Sequence, residues 1–230
     1  MFVYSFYKFE RISDLLIKKN SLFNNLNKLN VKGTILISNE GINVNISQTE
    51  QILDQAIEFI NKKISLKGIH LNKTKSNNIA FQKLKVKIKK EIIRFDRQIC
   101  KRKHTPYKTV RPDDWDELIS SDVQVIDMRN NFEFNLGTFD NAINLKMINF
   151  TDLKDRIDDL NQLNKEKKTA IFCTGGIRCE KAAEYLSDLG FENIFQLKGG
   201  IINYLSNTAG KSWNGDCFVF DDRILLKSNL

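Results

Sequence analysis

The chain has 230 residues, 41% of them hydrophobic, which is enough to bury one large core or two small ones. It opens Met1-Phe2-Val3-Tyr4 without a basic start and apolar run, and no apolar stretch is long enough to span a bilayer, so a cytoplasmic protein without signal peptide or membrane span is expected. The net charge of +8 is uneven: residues 1–110 hold 22 Lys and Arg against 8 Asp and Glu (+14), and residues 111–230 hold 14 against 20 (−6). That split predicts two domains with different jobs, the basic one facing a polyanion, nucleic acid first. A coding bias toward lysine would enrich both halves, and the second half shows no such excess.

In chain order, Phe2–Phe9 reads as a strand. Ser13 is the expected N-cap of a helix running to about Asn30, with Leu15, Leu16, Leu22, Phe23, Leu26 and Leu29 as its apolar stripe. Lys32–Ser38 and Ile42–Ile46 are strands joined by a turn at Asn39-Glu40-Gly41. Residues 48–62 form a second helix, and residues 84–93 are expected as a last strand. The order β-α-β-β-α-β predicts a ferredoxin-like domain over residues 1–95. In the last strand Leu84, Val86 and Ile88 alternate with Lys83, Lys85, Lys87 and Lys89, so period two puts every lysine on the face away from the core. Such a row suits a phosphate backbone, although edge strands also carry lysine to block aggregation. Lys90 and Arg94 continue the charge, as do Arg97, Lys101, Arg102, Lys103 and Lys108, and this favours nucleic acid.

Residues 96–112 are polar and basic, contain both prolines, and are expected as a linker. Pro112 then opens a helix. Residues 123–127 form a buried strand ending in Asp127, 153–163 a helix, 170–172 a strand, 180–189 a helix ended by Gly190, and 194–197 a strand followed by Gly199-Gly200 and a short helix. Alternating β and α predicts a doubly wound parallel sheet over residues 113–212, with a C-terminal extension at 213–230. Sites in such sheets lie at the C-terminal strand ends, where Asp127, Arg129 and Cys173 fall.

The loop Cys173-Thr174-Gly175-Gly176-Ile177-Arg178-Cys179 sits where an apolar strand becomes a helix N-terminus. Two glycines let backbone N–H groups turn inward, and the helix dipole and Arg178 add positive potential; all three favour a thiolate. Arg178 follows Cys173 by five residues, one short of the Cys-x5-Arg loop that rings a phosphate, so phosphatase chemistry is not expected. Cys173 is the expected nucleophile. Arg178 either serves the reaction or forms a structural ion pair to Glu180 or Glu133. Asp127 and Arg129 are expected to orient the loop. Cys179 either resolves an oxidised Cys173 or fills space at the first helix turn. With no export signal the cysteines are expected to be reduced, and their spacing is not that of a zinc site. His70 and His104, both in the basic half, are the only histidines, so no metal site is expected near Cys173, and no Gly-rich nucleotide fingerprint marks a cofactor.

Asp127-Met128-Arg129-Asn130, Glu133, Gly137-Thr138-Phe139 and Ala142-Ile143-Asn144, with the Cys173 loop and Leu197-Lys198-Gly199-Gly200-Ile201, resemble the rhodanese family. Thr138-Phe139 stand where that family usually has His-Ile. A narrower resemblance adds Gly33-Thr34-Ile35-Leu36-Ile37-Ser38-Asn39-Glu40-Gly41-Ile42-Asn43, Phe81 through Lys90-Glu91-Ile92, and Trp213-Asn214-Gly215-Asp216-Cys217-Phe218-Val219-Phe220-Asp221. With these the chain resembles the rhodanese-containing tRNA uridine hydroxylases. That resemblance implies oxygen-dependent hydroxylation of the wobble uridine to 5-hydroxyuridine, with molecular oxygen as co-substrate and the anticodon stem-loop as partner. Many members of that family continue into a cysteine-rich tail; none follows here before Leu230, so the resemblance carries over no metal ligands. Two other readings stay open: a sulfurtransferase carrying a Cys173 persulfide, and a non-catalytic RNA-binding module. The sequence is silent on oligomeric state.

Overall fold

The computed structural model describes residues 1–96 and 105–227. Cys100, His104, Arg97, Lys101, Arg102 and Lys103 lie outside the described residues. Two compact units are present: Met1–Arg94 with Phe220–Arg223, and Phe95–Val219 with the chain from Ile224 onward. No helix among the described residues is long and apolar enough to cross a membrane.

The first unit runs β1 (Phe2–Phe9), α1 (Leu15–Lys28), β2 (Lys32–Ser38), β3 (Gly41–Gln48), α2 (Glu50–Ile64), β4 (Asn72–Lys75) and β5 (Leu84–Ile88). The sheet order is β4-β1-β3-β2-β5. β1 pairs antiparallel with β3 and β4, β2 antiparallel with β3, and β5 parallel with β2. Strands β4-β1-β3-β2 with two helices make the expected ferredoxin-like domain. Tyr4, Phe6, Ile35, Ile37, Val44 and Ile46 of the sheet pack on Leu22, Leu26, Leu53, Ala56 and Ile60 of the helices.

Two expectations change here. The strand closing the β-α-β-β-α-β unit is β4, not the lysine-rich strand, which ends at Ile88 and is an added edge strand on the opposite side. β4 escapes a hydrophobicity reading because Asn72-Lys73-Thr74-Lys75 has no apolar residue; its alternation is polar, with Asn72 and Thr74 buried. The Thr74 hydroxyl donates to the Val3 carbonyl (3.3 Å), and Lys73 Nζ lies 4.6 Å from the Tyr4 ring centroid. The helix also starts later than Ser13 suggests. Asp14 is the N-cap residue, and the Ser13 hydroxyl is taken up by the Asp14 carboxylate (2.9 Å).

The second unit runs β6 (Tyr107–Val110), α3 (Pro112–Ser120), β7 (Gln124–Asp127), α4 (Asn131–Leu136), β8 (Gly137–Phe139), β9 (Ala142–Asn144), a 3-10 helix (Phe150–Asp155), α5 (Ile157–Asn161), β10 (Thr169–Phe172), α6 (Ile177–Asp188), β11 (Ile194–Leu197), α7 (Gly200–Asn207), β12 (Trp213–Gly215), β13 (Cys217–Phe218) and β14 (Leu225–Leu226). Its main sheet, β6-β11-β10-β7-β9, is parallel throughout. Trp115 and Ile119 of α3 and Ile201, Tyr204 and Leu205 of α7 pack on Val125, Ala170 and Phe172. Ile126 and Ile171 alternate with that strand set and face the other side, where α6 contacts β10.

The stretch expected as a linker contains β6, which pairs with β11 as an edge strand. Its four residues are β-prone, but Pro106 and the surrounding charge mask them. The C-terminal extension is folded into this unit too: β12 pairs antiparallel with β8, and Trp213 and Cys217 enter the core.

Candidate active site

β10 is buried at all four positions and delivers Cys173 at its C-terminal end. The chain then turns through Gly176, whose φ of 95° is a left-handed conformation that favours glycine, into α6. The Gly176 N–H donates to Cys173 Sγ at 3.2 Å. The Cys173 side chain is fully buried. Burial alone would raise its pKa. The Cys179 thiol, the Arg178 charge and the Cys179 and Arg178 backbone amides outweigh burial and bring it from 9.0 down to about 6. At neutral pH the sulfur is therefore a thiolate. Its alkylation by iodoacetamide is expected to be half-maximal near pH 6, falling as acid reprotonates the sulfur. A midpoint near 8.5, that of a free cysteine, would contradict this.

Glu133 of α4 anchors the loop. Arg178 donates from both terminal nitrogens to its carboxylate (2.7 and 2.8 Å), and the Thr174 hydroxyl adds a third bond (3.1 Å). Arg178 also donates to Thr174 Oγ1 (3.0 Å). Both members of the ion pair are buried. The structure thus places Arg178 on Glu133, the ion-pair alternative, and its charge reaches Cys173 through space. The α7 N-terminus grips the loop from behind: the Ile201 and Ile202 amides donate to the Cys173 and Thr174 carbonyls (3.0 and 3.1 Å). Gly200 makes this approach possible. A Cβ on it would lie 2.4 Å from the Cys173 carbonyl oxygen. From β11, Gln196 donates to the Gly176 carbonyl (3.2 Å). Glu133 and Gly200 are visible in the quoted motifs. Gln196 carries no local signal, because one polar residue in a buried strand has no periodicity to flag it. At Gly175 a Cβ would meet nothing within 4 Å, so the loop is open on that side.

Asp127 and Arg129 sit beside the loop rather than in it. Arg129 donates to Asp127 (3.0 and 2.6 Å) and to the Gly137 carbonyl, and its guanidinium lies 5.2 Å from the Trp213 ring centroid. Thr138, where rhodaneses usually have histidine, donates its hydroxyl to Asp127 (3.1 Å). This network ties β7, β8 and β12 together, an orienting arrangement. Cys217 is buried, which pushes its thiol up to about 12 and leaves it inert at neutral pH. Among the described residues no group of three or more His, Cys, Asp or Glu is placed to hold a metal ion.

In the first unit Lys85 and Lys87 of β5, with Lys83 and Lys89 on either side, are exposed on the sheet face away from the helices, and Lys90 and Arg94 follow, also exposed. Ile88, expected in the core, is 41% exposed because β5 ends there.

Residues 1–92 match the UPF0176 acylphosphatase like domain and residues 112–207 the Rhodanese-like domain. Over 99% of its length the chain is 43% identical to a tRNA uridine(34) hydroxylase of Pelagibacter ubique, covering 76% of that protein. The chain belongs to the tRNA uridine(34) hydroxylase family. Further members are a Picosynechococcus protein (37% identical over 99% of this chain and 78% of that one) and a Legionella pneumophila protein (35%, over 98% and 90%). Similarity over both units means that the basic domain and the Cys173 domain form one family pattern.

Proposed function

We propose that this enzyme hydroxylates C5 of the uridine at position 34 of tRNA, with Cys173 as the reacting sulfur and molecular oxygen as co-substrate. The observation that carries the reading is full-length similarity to tRNA uridine(34) hydroxylases, coupled to a buried cysteine held as a thiolate. Uracil C5 is a poor carbon nucleophile. Addition of the Cys173 thiolate to C6 moves an electron pair toward C5 as an enolate. C5 then takes one atom of O2, while the other leaves as water with two electrons and two protons from a thiol reductant. Loss of the C5 proton and of the Cys173 thiolate restores the ring. Arg178 acts as a positioning residue, holding the loop to Glu133 and keeping positive potential beside the sulfur.

The basic domain supplies the grip. Lys83, Lys85, Lys87, Lys89, Lys90 and Arg94 track the phosphates of the anticodon stem-loop, and the unstacked wobble base reaches the open side of the loop. Replacing Lys85 and Lys87 by Glu is expected to weaken tRNA binding at least about tenfold and to flatten its salt dependence by about one in slope per lysine. Unchanged binding in a filter assay would assign the row to edge protection instead. The Rhodanese-like match also fits a persulfide-carrying sulfurtransferase, but that reading leaves the basic domain without a task. Purified protein incubated with unmodified tRNA, a thiol reductant and air should produce 5-hydroxyuridine by nucleoside mass spectrometry, and none under argon. Sulfur transfer to cyanide without hydroxylation would favour the second reading.

A further inference from the structure

We propose that Cys179 is a positioning residue for this chemistry: its S–H donates to the Cys173 sulfur and fixes that sulfur's charge and direction. The proposal rests on Cys173 being the reacting sulfur. Cys179 is the third residue of α6 and, like Cys173, is fully buried. Its backbone N–H is bonded to the Gly176 carbonyl at 3.1 Å, which fixes the first turn. Side chains on a helix lean toward its N-terminus, so the Cys179 sulfur leans back over the loop, into hydrogen-bonding contact with Cys173. With both sulfurs buried, water does not compete for the bond.

The two thiols titrate apart. Burial, then the bond to Cys173, pushes Cys179 well above its ordinary value, so the proton stays on Cys179 while Cys173 carries the charge. The other charged groups around the pair are Arg178 and Glu180 on α6, Tyr107 of β6 hydrogen-bonded to Glu180, Glu133 of α4 through Arg178, and Asp127 of β7. Of these only Arg178 favours a thiolate. The Cys179 proton is the second device, and a hydrocarbon side chain of the same size could not supply it.

The test compares Cys179→Ala, which removes the donor, with Cys179→Ser, which keeps one. Iodoacetamide labelling of Cys173 in the full chain, read by peptide mass spectrometry, gives the pH midpoint. Cys179→Ala is expected to raise it by at least about one pH unit, slowing labelling near pH 6 about tenfold, and Cys179→Ser to stay within about half a unit of the parent. An unmoved midpoint in Cys179→Ala, or equal displacement in both variants, would overturn the proposal. The unaltered protein offers a check that needs no variant: the Cys179 S–H stretch in its infrared spectrum should lie at hydrogen-bonded frequency at neutral pH, and a free S–H frequency would count against the bond. None of these readings involves tRNA, so they decide the role of Cys179 independently of the substrate.

Discussion

Glu133→Gln is expected to lower stability by about 3–5 kcal/mol, measured by denaturant unfolding at neutral pH, because it strands the Arg178 charge in a buried site. Gln keeps the shape and one acceptor, so the loss reports the charge itself. Burial would raise the Glu133 carboxyl, but the Arg178 hydrogen bonds and charge hold it below its ordinary 4.5. A carboxyl with a depressed pKa contributes stability that is fully present above the unfolded value and fades as pH falls through the lower folded one. The pair is therefore intact at pH 7 and throughout mild acid. The Cys173 midpoint should separate the partners. Glu133→Gln leaves Arg178 charged beside the sulfur and keeps the midpoint acidic. Arg178→Leu removes an attraction that lowers the Cys173 pKa, and the midpoint should rise. A loss below about 1 kcal/mol in Glu133→Gln would mean that Arg178 finds water or another partner.

Gly200→Ala is the second large effect. The position has φ 67°, and the added Cβ would lie 2.4 Å from the Cys173 oxygen, 2.6 Å from the Thr174 oxygen and 2.8 Å from the Gly175 nitrogen. All three are backbone atoms, so no side chain can swing away. Left-handed strain costs about 1–2 kcal/mol, and displacing a packed loop typically about 1–3 more. The Ile201 and Ile202 amides would also leave the carbonyls they hold. Thermal unfolding should register the destabilisation, and the Cys173 labelling midpoint should drift toward that of a free thiol. An unchanged melting temperature together with an unchanged midpoint would show that the α7 grip has no part in shaping the loop.

Much of this was legible in the residues, and where it was not, the cause is specific. The strand–Cys–Gly-Gly–Arg–helix order announces the thiolate loop because glycine, helix dipole and cation are all local signals. β4 and β6 were missed because strands are recognised through apolar alternation, and these short edge strands are polar or hidden among basic residues. Which acid holds Arg178 could not be read either. Glu180 is nearer along the chain, yet the pairing goes to Glu133, 45 residues away, because α4 starts at the β7 end beside the loop. The α7 amides on the Cys173 and Thr174 carbonyls are likewise a tertiary fact, for which the Gly199-Gly200 pair was the only trace in the sequence.

The central claim is that the buried ionised sulfur of Cys173 performs the hydroxylation. Its most direct test is to express this chain and its Cys173→Ala variant in cells lacking their own tRNA uridine(34) hydroxylase, and to quantify 5-hydroxyuridine at position 34 by nucleoside mass spectrometry. The parent chain should restore the modified nucleoside, and the variant, folded and still binding tRNA, should restore none. Restoration by the alanine protein would remove the sulfur from the chemistry.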